Sequence, residues 1–246
     1  MASQTKNDRV AWLQGPSAQC ELPEAQEKPF RLVLLGAPGV GKGTQADLLR
    51  QRLKTCHLST GDVFRAASKS PCGLSPAMRA ANEYMRRGEL VPDETVWEMV
   101  RERSGCLHCG GGFILDGFPR TLTQASKLKA LMEEQGLALT AVVNYELATE
   151  EIVARLSGRR TCEQCRTVFH VVDRPSLRVN ECDRCGGKLV QRDDDRPASI
   201  VVRLETYTRS TEPLIAFYAA LGLLVTVNAA GTPEQIVALT MEHLRG

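Results

Sequence analysis

Residues 36–45 read GAPGVGKGTQ, directly after the apolar run Leu32-Val33-Leu34-Leu35. That order asks for a buried strand, a glycine-rich turn and a helix that opens on Lys42. Backbone N–H groups in such a turn point into one small bowl at the positive end of the helix, which suits a polyphosphate. Gly36, Gly39 and Gly41 let the backbone turn tightly and approach phosphate without Cβ clashes. Lys42 adds a mobile full charge that can follow a phosphoryl group. The pattern departs from a P-loop at one point: Gly43 follows Lys42, and the hydroxyl comes one residue later, at Thr44. A plain Gly/Pro turn is the blander reading, but spacing and context favour a phosphate site.

The bulk properties leave room for this. A chain of 246 residues makes one or two domains and buries a substantial core. The net charge of +2 gives no broad basic field for nucleic acid. No apolar run reaches membrane-spanning length. Residues 1–29 mix charge, Pro and Gln without a secretory apolar core, and Glu21, Glu24 and Glu27 argue against an import peptide. They read as a poorly ordered tail. Nine cysteines without a secretion signal point to thiols or metal rather than disulfides.

Strands are expected at 31–35, 55–58, 112–115, 140–146 and 223–228. Helices are expected at 42–54, 93–103, 121–135, 149–159, 195–221 and 232–245. This alternation predicts an α/β fold, a parallel sheet covered on both faces. Thr121 is the expected N-cap of the third helix, and Gly136 its close. Segments 60–90 and 160–192 break the alternation and read as insertions on the ligand-binding edge.

Cys162-x-x-Cys165 and Cys182-x-x-Cys185 lie sixteen residues apart. Four thiolates at this spacing make a closed tetrahedral zinc site, structural because no position is left open for substrate. Gly186 and Gly187 would let the chain turn close to sulfur. A small loop-rich segment cannot order itself by apolar burial, and Zn²⁺ supplies the difference. Cys106-x-x-Cys109 has no second pair nearby and reads as ordinary thiols, as do the single Cys20, Cys56 and Cys72. His57 and His170 read as structural.

Several segments together resemble an adenylate kinase of the long-lid bacterial type: GAPGVGKGTQ at 36–45, HLSTGDVFR at 57–65, GELVPDETV at 88–96, FILDGFPRTLTQA at 113–125, GRR at 158–160, and QRDDD with Arg203 behind it. The resemblance covers about residues 30–245. It implies the P-loop nucleoside monophosphate kinase fold, a five-stranded parallel sheet flanked by helices. Core segments would be 30–59, 91–159 and 194–246, with an AMP-binding insertion at 60–90 and a zinc-bearing lid at 160–193.

The implied reaction is Mg²⁺-ATP plus AMP giving two ADP. Positioning and charge neutralisation do the work, so the implied site is mostly arginine. Lys42, Arg120, Arg159, Arg192, Arg203, Asp194 and Asp195 form the implied catalytic set. ATP would meet Gly39, Val40, Gly41, Lys42, Gly43, Thr44, Arg155 and Arg159, the last two being four residues apart and so on one helix face. AMP would meet Thr60, Arg65, Glu89, Leu90, Val91, Gly117, Arg120, Gln124, Arg192 and Arg203. Asp116, and with it Asp62, would hold Mg²⁺ through water. Asp194 and Asp195 have a second reading as caps of the helix they precede. Extra residues around Ser70-Pro71-Cys72-Gly73 leave the shape of the AMP-side flap open.

Two other functions fit parts of the pattern. One is a kinase of another nucleoside monophosphate, or a GTP-dependent one. The other is a zinc-ribbon ATPase that binds nucleic acid. Against the latter, segment 161–191 carries five Lys/Arg against four Asp/Glu and a single aromatic, Phe169. The family further implies a cytoplasmic monomer whose partners are nucleotides rather than nucleic acid or membrane.

Overall fold

The computed structural model describes residues 12–13, 25–67, 76–165 and 167–245. Its centre is a parallel sheet of five strands in the order β2-β3-β1-β4-β8. These are β1 (Phe30–Gly36), β2 (Cys56–Ser59), β3 (Gly112–Asp116), β4 (Ala141–Glu146) and β8 (Leu224–Asn228). The strands are apolar almost throughout because both faces are covered. Successive side chains feed two different cores. Val33, Leu35, Leu58, Phe113 and Leu115 face one way, and Leu32, Leu34, Ile114, Val143 and Tyr145 face the other.

The helices are α1 (Lys42–Leu53), α2 (Thr60–Ala67), α3 (Pro76–Arg87), α4 (Asp93–Glu102), α5 (Leu122–Glu134), α6 (Thr149–Gly158), α7 (Pro197–Thr206), α8 (Pro213–Ala220) and α9 (Pro233–His243). Thr121 caps α5 as expected, its hydroxyl accepting from the Gln124 N–H, and Gly136 follows at φ 66°. Strand order reverses about β1, so the crevice at its C-terminal end lies at a topological switch point, where open α/β sheets bind ligands. Register brings Leu34 of β1 and Ser59 of β2 level with Asp116 of β3.

The second insertion is a separate three-stranded antiparallel sheet, β6-β5-β7, built from β5 (Arg159–Cys162), β6 (Val168–His170) and β7 (Leu189–Val190). It has its own small core of Cys162, Phe169, Cys182 and Leu189. The first insertion holds α2 and α3; Ser70-Pro71-Cys72-Gly73 lies outside the described residues. No helix among the described residues is long and apolar enough to cross a membrane.

Three expectations need correction. The helix expected over 195–221 is three pieces: a 3₁₀ turn at Asp193–Asp195, then α7, then one π turn at Tyr207–Thr211 leading into α8. Pro213 has no N–H and its ring cannot pass the carbonyl one turn back. The ladder shifts instead, with Glu212 N–H bonding Tyr207 O at 2.9 Å. Second, Cys56 and Cys109 are joined as a disulfide, with Cα atoms 6.7 Å apart. Pairing of Cys56 with Phe113 and the turn from Cys109 to Gly112 set the two thiols side by side, a proximity hidden by 53 residues of separation. Third, the stretch read as a tail contains Trp12, which is fully buried in the larger core.

Gly112 opens β3 at φ 85°, opposite Phe30. A Cβ there would collide with the Phe30 carbonyl oxygen. Gly112→Ala is therefore expected to lose roughly 2–4 kcal/mol through strain and overpacking. The measurement is the denaturant midpoint at unchanged m-value; a midpoint equal to wild type would contradict this account.

Candidate active site

The turn between β1 and α1 has the expected geometry. Gly41, the N-cap, sits at φ 108°, and no side chain caps the helix. The first N–H groups of α1 therefore stay available to an anion. Gly36 turns at φ 129° with no room for a Cβ against Tyr145 O. Lys42 Nζ lies over this turn and donates to Gly36 O at 2.6 Å and Ala37 O at 2.9 Å. Desolvation in the cleft pushes its pKa down to about 7, Asp116 opposes that, and Arg120, Arg203 and Arg159 add to it. Near neutral pH the full charge expected from sequence is thus only partly present.

Asp116 ends β3 beside the start of α1; a Cβ on Gly43 would stand 3.7 Å from its Oδ2. Burial works to raise the Asp116 pKa, but the His57 hydrogen bond and charge, with Lys42, hold it below the usual carboxylate range. His57 bridges two acids, Asp47 at 3.4 Å and Asp116 at 3.3 Å. Asp62 is engaged elsewhere, 2.8 Å from Arg65 Nη2 within α2.

The arginines come together from distant segments. Arg159 grips Asp195 with both arms of its guanidinium, at 2.7 and 2.5 Å. Arg203 of α7 shares that carboxylate at 2.9 Å and meets Asp194 at 3.2 Å. Asp195 is fully buried, and the N-cap of α7 is Arg196 without a side-chain cap. The capping role considered for the two acids is therefore absent, and ion pairing with the arginines takes its place. Arg192 donates to Thr161 Oγ at 3.0 Å; burial, then the charges of Arg65 and Arg159, push it down to about 9.

Arg155 and Arg159 do not share a helix face. Arg155 sits in the last turn of α6 and clasps Val40 O at 3.2 Å and Ala229 O at 3.0 Å, tying the phosphate turn to the loop after β8. Arg159 follows the helix in extended conformation and opens β5.

On the other side of the cleft, a single pocket is lined by Thr60, Glu89, Leu90, Val91, Gly117, Arg120 and Gln124, all anticipated from sequence. Gly61, Phe64, Met85 and Val96 complete it. Thr60 Oγ donates to Gly117 O at 2.9 Å, and Arg120 Nε donates to the same oxygen at 2.9 Å. Arg65 folds its guanidinium over Gly61. Gln124 is buried and engaged at both ends: Oε1 accepts from Arg120 N–H at 2.8 Å, and Nε2 donates to Asp93 at 2.7 Å. Thr121 Oγ donates to Asp93 as well. Asp93 had no assigned role in the sequence reading, although the quoted GELVPDETV segment contains it. The apolar wall was missed because Phe64, Met85 and Val96 look like ordinary core positions.

In the second sheet, the sulfurs of Cys162, Cys165, Cys182 and Cys185 lie within 4.8 Å of one another. Cys162–Cys185 and Cys165–Cys182 are each 3.5 Å apart. A tetrahedron with metal–sulfur bonds of about 2.3 Å has edges near 3.8 Å, so the four fit one ion. Gly187 passes close enough that a Cβ would stand 2.9 Å from Cys162 Sγ. His170 instead bonds Ala154 O and Asp173. Phe169 is buried beneath Arg174, so its ring offers no stacking face.

Fold and cleft place the chain among the P-loop nucleoside monophosphate kinases. A family model described as Adenylate kinase matches residues 34–223. The adenylate kinase of Caldicellulosiruptor bescii is 47% identical over 216 residues, covering 88% of this chain and 98% of that protein. Those of Streptomyces griseus and Bacillus licheniformis are 44% and 42% identical over 217 residues, 88% of this chain and 98% and 99% of theirs. The chain belongs to the adenylate kinase family.

The suppressed lysine has a measurable consequence. Bound polyphosphate should return Lys42 toward its ordinary value of 10.5 from about 7. At about pH 8 the free amine is mostly neutral and the bound one charged, so nucleotide binding takes up close to one proton; at about pH 6 it takes up almost none. Binding enthalpies in buffers of different ionisation heat should show this, and Lys42→Met should remove it. Equal enthalpies across buffers at the higher pH would refute it.

Proposed function

We propose that this chain transfers the terminal phosphoryl group of Mg²⁺-ATP to AMP, giving two ADP, and runs the reaction in both directions. The observation that carries the reading is one cleft with a phosphate turn and Lys42 on one side, the Thr60–Gln124 pocket on the other, and four arginines between them. The P-loop would seat the phosphates of ATP, with Arg155 near it. The pocket would take AMP, Arg120 and Arg65 meeting its phosphate and Gln124 its adenine edge.

Arg159 and Arg203 would turn from their aspartates, and Arg192 from Thr161, to the transferring phosphoryl group, where bidentate donors suit phosphate oxygens. Asp194 and Asp195 would hold Arg159 and Arg203 poised. Water exclusion would come from segment 160–193 acting as a lid over the core, with 60–90 as the AMP-binding insertion. Mg²⁺ would be held through water by Asp116, oriented by His57, and would neutralise phosphate charge; Asp62, paired to Arg65, is less free for it. The reading includes a cytoplasmic monomer whose partners are ATP, AMP and ADP, with no nucleic acid and no membrane.

The test is a panel of donor and acceptor nucleotides. ATP with AMP should exceed other monophosphate acceptors by at least about 100-fold in kcat/KM, because an unmatched base leaves buried polar groups unpaired. A preference for CMP, UMP or GMP, or for GTP as donor, would overturn it.

We further infer that the four cysteines hold a structural Zn²⁺. The supporting feature is the sulfur-only donor set in a sheet whose core has only four buried residues. Purified protein should carry about one zinc per chain. Replacing Cys162 and Cys165 by Ser should lower Tm while leaving phosphoryl transfer at reduced temperature, because no other proposed site residue is a ligand. Metal content near zero with four titratable thiols in the folded protein would refute this.

A further inference from the structure

We infer that Trp12 is a positioning residue for the acceptor pocket; the inference rests on the reading of that pocket as the AMP site. Trp12 is fully buried in a cluster that includes Val63 and Phe64 of α2, Val91 just before α4 and Val96 within it. Phe64, Val91 and Val96 also line the pocket, so its apolar wall and the indole belong to one continuous core. Leu13 packs against the same cluster.

The polar contacts are directed. Trp12 Nε1–H donates to Ser59 O at 3.0 Å. Ser59 is the last residue of β2, and its own hydroxyl accepts from Asp62 N–H at 3.3 Å, closing the first turn of α2. Thr60, the next residue, enters the pocket and donates to Gly117 O. The Trp12 carbonyl accepts from Arg103 Nε at 2.8 Å, and Arg103 also donates to Met99 O at the end of α4. One residue thus pins the strand-to-helix junction that aims Thr60 and joins it to the helix on the far side of the pocket.

β2 is an edge strand with a ladder partner on one flank only. Trp12 lies outside residues 34–223, the span that the family model matches.

The test is steady-state kinetics of the full chain with AMP and ATP varied separately, plus calorimetric AMP binding. Trp12→Phe keeps most of the apolar fill and removes the N–H; one lost hydrogen bond corresponds to about a fivefold change. KM and Kd for AMP should rise by about that factor, and by about tenfold or more in Trp12→Ala, where the wall is also undercut. KM for ATP, and kcat at saturating AMP, should stay within about twofold. A lower Tm with unchanged AMP constants would make Trp12 a packing residue only and overturn the inference. A uniform fall in kcat with unchanged KM ratios would overturn it too. Should Trp12→Ala fail to fold, Trp12→Phe decides alone. Wild type in the same assay separates the two readings: no AMP turnover there defeats the AMP-site reading itself, whereas normal AMP use with insensitive variants defeats only the role of Trp12.

Discussion

Two guanidinium groups share one carboxylate that water does not reach. Asp195 lies between Arg159, which opens the second sheet, and Arg203, which belongs to a helix on the main sheet. A buried carboxylate is tolerated only when its lone pairs are met, and here two cations and several N–H donors meet them. The arrangement also restrains the arginines, which would otherwise repel one another and Lys42. Much of the cleft follows from this contact. The second sheet is held against the body through Arg159, and the positive field is balanced enough to exist without ligand. Burial first, and the neighbouring arginines second, keep Lys42 and Arg192 depressed. An incoming polyphosphate therefore finds donors already assembled, and the energy of assembling them is met by folding.

The sheet and the phosphate turn were legible because their signals are local. Apolar runs of strand length, glycine-rich punctuation and the Thr121 and Gly136 boundaries lie within a few residues of what they determine. The cysteine pairs were legible for the same reason. The arginines were only half legible. Family motifs picked out arginines that the fold brings to one cleft, yet helical spacing alone put Arg155 and Arg159 on one face. The helix in fact ends between them, and they do different things: one clasps backbone, the other a carboxylate.

What the sequence hid is what depends on distant partners. Cys56 and Cys109 meet only once β2 and β3 are paired. Asp93 matters because Thr121 and Gln124 both reach it across the gap between two helices. The break in the long C-terminal helix could have been suspected from Pro213. Its form, a π turn that lets the Thr211 hydroxyl reach Arg120 O at 2.9 Å, could not. Trp12 was missed because residues 1–29 as a whole mix charge, Pro and Gln, although a single large apolar side chain is enough to fix a short segment when a matching recess exists.

The second sheet has its own core, separate from the two that line the main sheet. Its strands are tied by short antiparallel pairing, and its cysteines converge at one point. Mechanically this is a stiff plate. It joins the body where the chain leaves α6 near Gly158 and where it returns at Gln191–Arg192. Gly158 has no room for a side chain, because the His170 ring occupies that space. The chain passes between plate and body at these two crossings. If segment 160–193 is the lid we propose, a plate joined at two crossings would carry Arg159 with it while keeping its own interior, so the heat tolerance of the plate and the ease of its swing would be separate properties that sequence change can tune one at a time.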